Sequence, residues 1–268
     1  METRCFNRYW VGVVCAGLIF TCGYANQAAS QAETGTLLKS AKTDFAHLPR
    51  NIIEDSKDTF TRRDNFAALL IAGGASAAMH NDGADDRIAR HFEKHNTLHG
   101  FADESLNIVG GPAAHFSATA LWYALSVKSQ DEFNKERAWT MMRALSVTGA
   151  VTVSLKAARG NNSPNGSPWA WPSGHTSSSF TVASVLDEFY GPRVGIPAYI
   201  LASAVAYRMM DTGDHWGSDV VFGATLGWVV GHSVAGKHKK LELAGFEMVP
   251  CIPTCNGPVT GINLVKLF

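Results

Sequence analysis

Charge is what this sequence has least of. Only 17% of its 268 residues are Asp, Glu, Lys or Arg, and the two signs balance at 23 each. Without a basic excess there is no field to hold a polyanion, which speaks against a nucleic-acid partner. The same scarcity comes with 46% apolar residues, a composition too hydrophobic for a disordered chain. Cysteine is nearly absent from the body of the chain. Of five, Cys5, Cys15 and Cys22 fall in the first 25 residues, and the others are Cys251 and Cys255. Their three-residue separation and the lack of a second pair argue against a zinc site, whereas a local disulfide in an oxidising compartment remains open. Period-two alternation is almost missing, so strands are not expected, and there is neither an internal repeat nor a low-complexity tract.

Long uninterrupted apolar runs are scarce too. The charge-free windows 105–127, 194–207 and 220–236 are diluted by Gly, Ser, Thr, Pro or His, and only the first exceeds a usual membrane span in length. A mean hydropathy of -0.02 is high for a water-soluble protein and low for a bundle of lipid-facing spans. The composition favours a soluble or peripheral bundle over an integral one.

What is present begins with an export signal. Arg4 and Arg8 precede an apolar run over 11–21, and Gly23, Tyr24 and Ala25 place small residues where a signal peptidase reads them. We therefore expect a secretory signal at 1–25, a polar N-terminal segment at 26–62, a helical domain at 63–240, and a C-terminal tail with the cysteine pair at 241–268. The protein would be exported, periplasmic or membrane-associated. The N-terminal segment should hold short helices near 37–47 and 52–60. Beyond it, apolar stretches separated by Gly, Pro and Asn breaks predict helices at 63–79, 84–97, 102–109, 112–128, 132–156, 174–190, 194–210 and 216–236. The fold class is all-α, a compact helical bundle. Between two of the helices lies a long loop, 160–174, of the kind that carries function.

That loop ends in Trp171, Pro172, Ser173, Gly174 and His175. Ser173 can cap the following helix, and the free amides of Gly174 and His175 then form an anion-binding start. Forty residues on, His215 precedes Asp219 by four, a helical spacing at which the carboxylate can hold one imidazole tautomer and stabilise its cation. Lys156, Arg159 and Arg208 could add positive charge for a phosphate. Asp211 and Asp214 read as solvated turn residues. His91, His95 and His99 share a four-residue interval, but the H-E-x-x-H pattern is absent and a solvated face fits better than a metal site.

These blocks resemble the signature of the type 2 phosphatidic acid phosphatases, a superfamily that also holds bacterial class A acid phosphatases and vanadium-dependent haloperoxidases. Its pattern is Lys, six residues, Arg-Pro; then Pro-Ser-Gly-His; then Ser-Arg, five residues, His, three residues, Asp. The middle block is complete at 172–175, and the third ends correctly at His215 and Asp219. Lys156 and Pro164 match the first block, but Ser163 replaces its arginine. Arg208 stands six residues before His215 instead of five, and Met209 takes the strict position.

The resemblance implies an all-helical phosphatase of lipid phosphates, such as phosphatidic acid or polyprenyl diphosphate, or of small soluble phosphate esters. It implies a phosphohistidine on His215, proton donation by His175, orientation by Asp219, and phosphate holding by Lys156, Ser173, the Gly174 amide and Arg208. Arg159 is a candidate replacement for the missing guanidinium. No metal or cofactor is called for, since donors neutralise the charge on the transferred group. The alternative implied by Ser163 and the displaced Arg208 is a catalytically weakened member that binds a phosphorylated lipid or has a structural role. Oligomeric state is not legible.

Overall fold

The computed structural model describes residues 27–236 and the three strands Leu241–Leu243 (β1), Phe246–Pro250 (β2) and Ile262–Lys266 (β3). The proposed signal at 1–25 and both tail cysteines lie outside the described residues. Nine helices are described: α1 (Gln27–Thr61), α2 (Arg63–Asn81), α3 (Ala84–Lys94), α4 (Phe101–Gly110), α5 (Pro112–Lys128), α6 (Glu132–Arg159), α7 (Gly174–Tyr190), α8 (Pro192–Asp211) and α9 (Gly217–Gly236). From residue 63 onward each sequence-predicted helix is present, with ends that differ by three residues or fewer. Two elements differ. The segment expected to hold two short helices is one 35-residue helix that runs through Pro49. The tail contributes an antiparallel sheet in the order β1-β2-β3, with Leu243 opposite Phe246 and Met248 opposite Leu264.

The centre of the helical body is the contact between α7 and α9. Gly223, Gly227 and Gly231 recur every fourth residue and so lie along one face of α9. A β-carbon at Gly227 would fall 2.2 Å from the Ser177 carbonyl oxygen, and one at Gly223 would fall 2.8 Å from that of Ser173. Only glycine permits this approach, and α7 answers with the small buried residues Ser177, Thr181 and Ser184. Their hydroxyls are satisfied locally: Thr181 Oγ1 donates to Ser177 O at 2.8 Å, and Ser184 Oγ donates to Trp228 O at 3.1 Å. Leu145, Val185, Leu226, Val230 and Val234 complete the main core between α6, α7 and α9.

Polar clamps hold the outer helices. Asp55 of α1 accepts a two-pronged bond from Arg143 of α6 at 2.8 and 2.6 Å, and Tyr123 of α5 donates to Asp44 at 2.5 Å. Asp85 of α3 accepts from the Ser218 amide at 2.9 Å and from its hydroxyl at 2.6 Å, which caps the first turn of α9. Asp211, at the end of α8, is 2% exposed and accepts from the amides of Thr97 and Leu98 at 3.0 and 2.9 Å. It pins the 95–100 linker and is not a solvated turn residue. The amides of Thr97 and Leu98 lie between two helices and have no helical acceptor, and Asp211 supplies an oxygen to each.

Candidate active site

Close packing of α7 on α9 brings the two histidine blocks together. The Ser173 amide donates to Asp219 O at 3.1 Å, so the start of α7 is joined directly to the first turn of α9. Ser173 caps α7: its Oγ accepts from the Thr176 amide at 3.3 Å and from the Thr176 hydroxyl at 2.9 Å, and the residue is fully buried. Gly174 and His175 then open the helix as the spacing predicted.

His215 lies in the turn ahead of α9 and not on the helix itself. Its backbone amide donates to Met209 O at 3.0 Å. Asp219, in the first turn of α9, accepts from the Trp216 amide at 3.0 Å through Oδ2, the reciprocal half of a capping box. The same oxygen faces His215 Nδ1 at 3.4 Å, with both side chains at least nine-tenths buried. Asp219 Oδ1 accepts no hydrogen bond from the described residues. The pair is thus aligned but long, as such contacts often are before substrate tightens them.

Lys156, in the last turn of α6, sends Nζ to the carbonyls of Trp169 and Ala170, the latter at 3.1 Å. Burial pushes its ammonium below the ordinary lysine range, with the Asp219 charge opposing. His175 is also pushed down, first by burial, then by the charges of His215, Arg208 and Lys156, with Asp214 acting in the other direction. The charges of Lys156, Arg208, Asp214 and His215 thus all reach His175.

Arg208 reaches this group despite its shifted register. Met209, at the strict position, is wholly buried in a cluster with Ala206 and Val220. The extra residue is absorbed by the turn after α8, where Gly213 takes a positive φ of 70°. Arg208 is 8% exposed, and its Nε donates to Asp103 Oδ1 of α4 at 2.7 Å while Nη1 pairs with Asp214 Oδ2. Asp214, its side chain 36% exposed, keeps contact with solvent as its sequence context suggested, but it also supplies an acceptor that the buried guanidinium requires.

The loop between α6 and α7 is tied across itself. Ser163, where the family pattern has arginine, is buried; its hydroxyl donates to Asn165 Oδ1 at 2.6 Å and accepts from the Ser167 amide at 3.0 Å. Asn165 in turn donates to Asp214 Oδ1 at 2.8 Å, and Trp216 Nε1 donates to Asn162 O at 2.7 Å. The two tryptophans of the loop differ in burial. Trp171, after which the Trp171–Pro172 bond is cis, packs on Phe222 and donates to Ser76, whereas Trp169 is 53% exposed. Arg159 lies with its guanidinium carbon 5.3 Å from the centre of a Trp171 ring. His91 and His95 stack at 4.9 Å, and His95 Nδ1 is 3.1 Å from His91 O, which engages it within its own helix turn.

Sequence reasoning missed three residues. Asp103 and Asp85 carried no signal, since lone acids on helices usually face water. His115 had one, as a lone histidine within a charge-free window. Its Nδ1 is 3.1 Å from Ser178 Oγ, and burial, with the His175 charge second, lowers its pKa to about 4. Outside the 212–216 turn, a cavity of about 480 Å³ is lined by Arg90, Phe92, Asn165, Met210 and Trp216 among others.

Fold and site together define a class: an all-α protein whose paired histidines converge with the buried Arg208 and the half-buried Lys156 where two helix starts meet. Residues 154–241 match the family model described as PAP2 superfamily. It is 28% identical to a lipid A 1-phosphatase of Porphyromonas gingivalis over 116 residues, which are 40% of this chain and 26% of that protein. The chain thus spans about a quarter of that curated relative's length. Its fold is also that of a crystal structure of "the first transmembrane PAP2 type phosphatidylglycerolphosphate phosphatase from Bacillus subtilis", with a TM-score of 0.56 at 19% identity, covering 66% of this chain and 96% of the other.

Proposed function

We propose that this chain is a phosphatase that hydrolyses phosphate monoesters or diphosphates, with a lipid phosphate as the favoured class, through a phosphohistidine on His215. The observation that carries the reading is the His215–Asp219 pair set within the field of His175 at an anion-binding helix start. Nδ1 of His215 faces Asp219, which leaves Nε2 to attack phosphorus. As the bond from phosphorus to the leaving oxygen breaks, the His175 imidazolium gives its proton to that oxygen. Water then hydrolyses the phosphohistidine, and neutral His175 takes up a proton from it. Lys156, Ser173, the Gly174 amide and Arg208 hold the remaining oxygens, and Arg159 stands in for the guanidinium that Ser163 lacks. Charge is neutralised by donors, so the scheme calls for no metal.

A lipid substrate is supported by the lipid A 1-phosphatase relative. It is supported also by large apolar side chains left in the open: Phe101 is 76%, Ile71 73% and Ile200 66% exposed, on three different helices. Among the described residues no helix is long and apolar enough to cross a membrane. We therefore propose an exported protein that lies against a membrane surface, with 1–25 acting as its secretory signal.

The test is inorganic phosphate released from p-nitrophenyl phosphate, phosphatidic acid and a polyprenyl diphosphate by the protein and by its His215→Ala variant. Release by the first alone is expected. Equal background from both would favour the second reading, a weakened member that binds a phosphorylated lipid, for which Ser163 and the carboxylates on Arg208 speak. Arg159→Ala should lower release, and an unchanged rate would remove Arg159 from the site.

A further inference from the structure

We infer that Asp214 determines which charge state of the substrate this site accepts, favouring a phosphoryl group that still carries one proton over the fully ionised dianion. The inference rests on the phosphatase reading above. Asp214 immediately precedes His215, and its carboxylate is held on both oxygens: Oδ1 by Asn165 Nδ2 at 2.8 Å, and Oδ2 by Thr212 Oγ1 at 2.8 Å and by Arg208 Nη1. It cannot swing into solvent without losing all three partners. Asp103 occupies Arg208 Nε from the opposite side, on α4. The cation that should meet the phosphoryl group is thus flanked by two carboxylates.

The charged groups that face this point from every packed element are few. Lys156 comes from α6 and Arg208 from α8, against Asp103 from α4, Asp214 from the turn and Asp219 from α9. The histidines around them are His175 on α7, His215 in the turn, and His115 on α5 beside His175. With the histidines neutral and Arg159 at the site as proposed above, three cations meet three carboxylates, so the walls offer no net positive charge to a second anionic charge on the substrate. Arg208 has five N–H donors, of which the two carboxylates engage two; among the described residues no other acceptor engages the remaining three, which we assign to a phosphoryl oxygen.

An oxygen bound there lies beside Asp214 Oδ2. If it carries a proton, it donates to that carboxylate; if it is ionised, two anionic oxygens meet with no proton between them. Discrimination of this kind comes from the repulsive partner as much as from the attractive one. Removing one unit charge at such close range, in a partly buried site, should change the affinity for a second anionic charge by about tenfold or more.

The experiment compares the full chain with Asp214→Asn, which keeps shape and removes charge, and with Asp103→Asn, which leaves the 212–216 turn untouched. Inorganic phosphate binding is measured by calorimetry at pH 5 and pH 8, alongside kcat and KM for p-nitrophenyl phosphate across that range. Binding decides, because the loss of Asp214 also removes a charge that raises the His175 pKa and so moves the kcat limb to lower pH. We expect Asp214→Asn to bind phosphate about tenfold tighter than wild type at pH 8 and within about threefold at pH 5, with KM following, and Asp103→Asn to shift the same way. Equal weakening at both values would mean that Asp214 only orients Arg208, and unchanged binding that it is a bystander; either overturns the inference. Failure of the phosphatase reading is separate: wild type would release no phosphate, while the binding comparison would still be read.

Discussion

His175 must carry a proton to act as a general acid, yet burial and three nearby positive groups hold it below the ordinary histidine value of 6.5. The free enzyme's kcat/KM should therefore fall as pH rises through a value below 6.5, a limb read from the pH–rate profile. A bad leaving group needs that proton more than a good one does. His175→Ala should cost on the order of 10²- to 10⁴-fold with an alkyl phosphate and much less with p-nitrophenyl phosphate, measured as kcat/KM on both. An equal loss on both would make His175 a binding residue. At this scale the sequence was informative wherever a residue type has few alternatives: Pro-Ser-Gly-His and His-x3-Asp are readable as strings. Asp103 and Asp214 were not, because their importance comes from what another element brings to face them.

At the scale of elements, the spacing of the proposed catalytic groups depends on how closely α9 approaches α7. An alanine at Gly227 would set its β-carbon against the backbone of Ser177, which no side-chain rotation can relieve. We expect Gly227→Ala to destabilise the fold by about 3 kcal/mol or more despite alanine's better helix propensity, as read by denaturant unfolding. Residual activity should fall with it, since the Ser173–Asp219 link lies one turn from Ser177 along α7 and about two turns from Gly227 along α9. A different clamp holds α1. Arg143→Ala would leave Asp55, 1% exposed at its side chain, without its bidentate cation, at a cost of about 3–5 kcal/mol in the same assay. The helices themselves were legible because breaks such as Asn81-Asp82-Gly83 and Gly110-Gly111-Pro112 are local. The single long α1 was not, since Pro49 reads as a break unless tertiary contacts on both sides of it hold the helix together.

The whole molecule responds to pH through its buried histidines. His115, with a pKa of about 4 against 6.5 when unfolded, stays neutral in the fold while the unfolded chain takes up a proton. Stability should thus decline as pH falls from about 6.5 to about 4 and level off below, by an amount on the order of 3 kcal/mol. His115→Gln should flatten this slope in unfolding measured across that window. The outward face of α4 addresses the membrane proposal. Phe101 and Ile108 are exposed while Asp103, on the same helix, turns inward to Arg208. A double change to serine at 101 and 108 should weaken flotation with phosphatidic acid vesicles and lower release from that lipid, with p-nitrophenyl phosphate turnover unchanged.

The sequence by itself determined the helical class, most helix limits from residue 63 onward, the order of the three motif blocks and the identity of the histidine pair. Those properties are written in local periodicity, in breakers and in short-range spacing, which need no partner element to be read. Only the tertiary structure decided that Arg208 comes within reach of His175 while Met209 is buried, that Asp103 and Asp214 flank Arg208, and that Asp85 and Asp211 cap distant backbone. Each of these depends on which polar group finds an acceptor once water has been excluded, and that is settled when glycines 223, 227 and 231 let two helices meet at backbone distance.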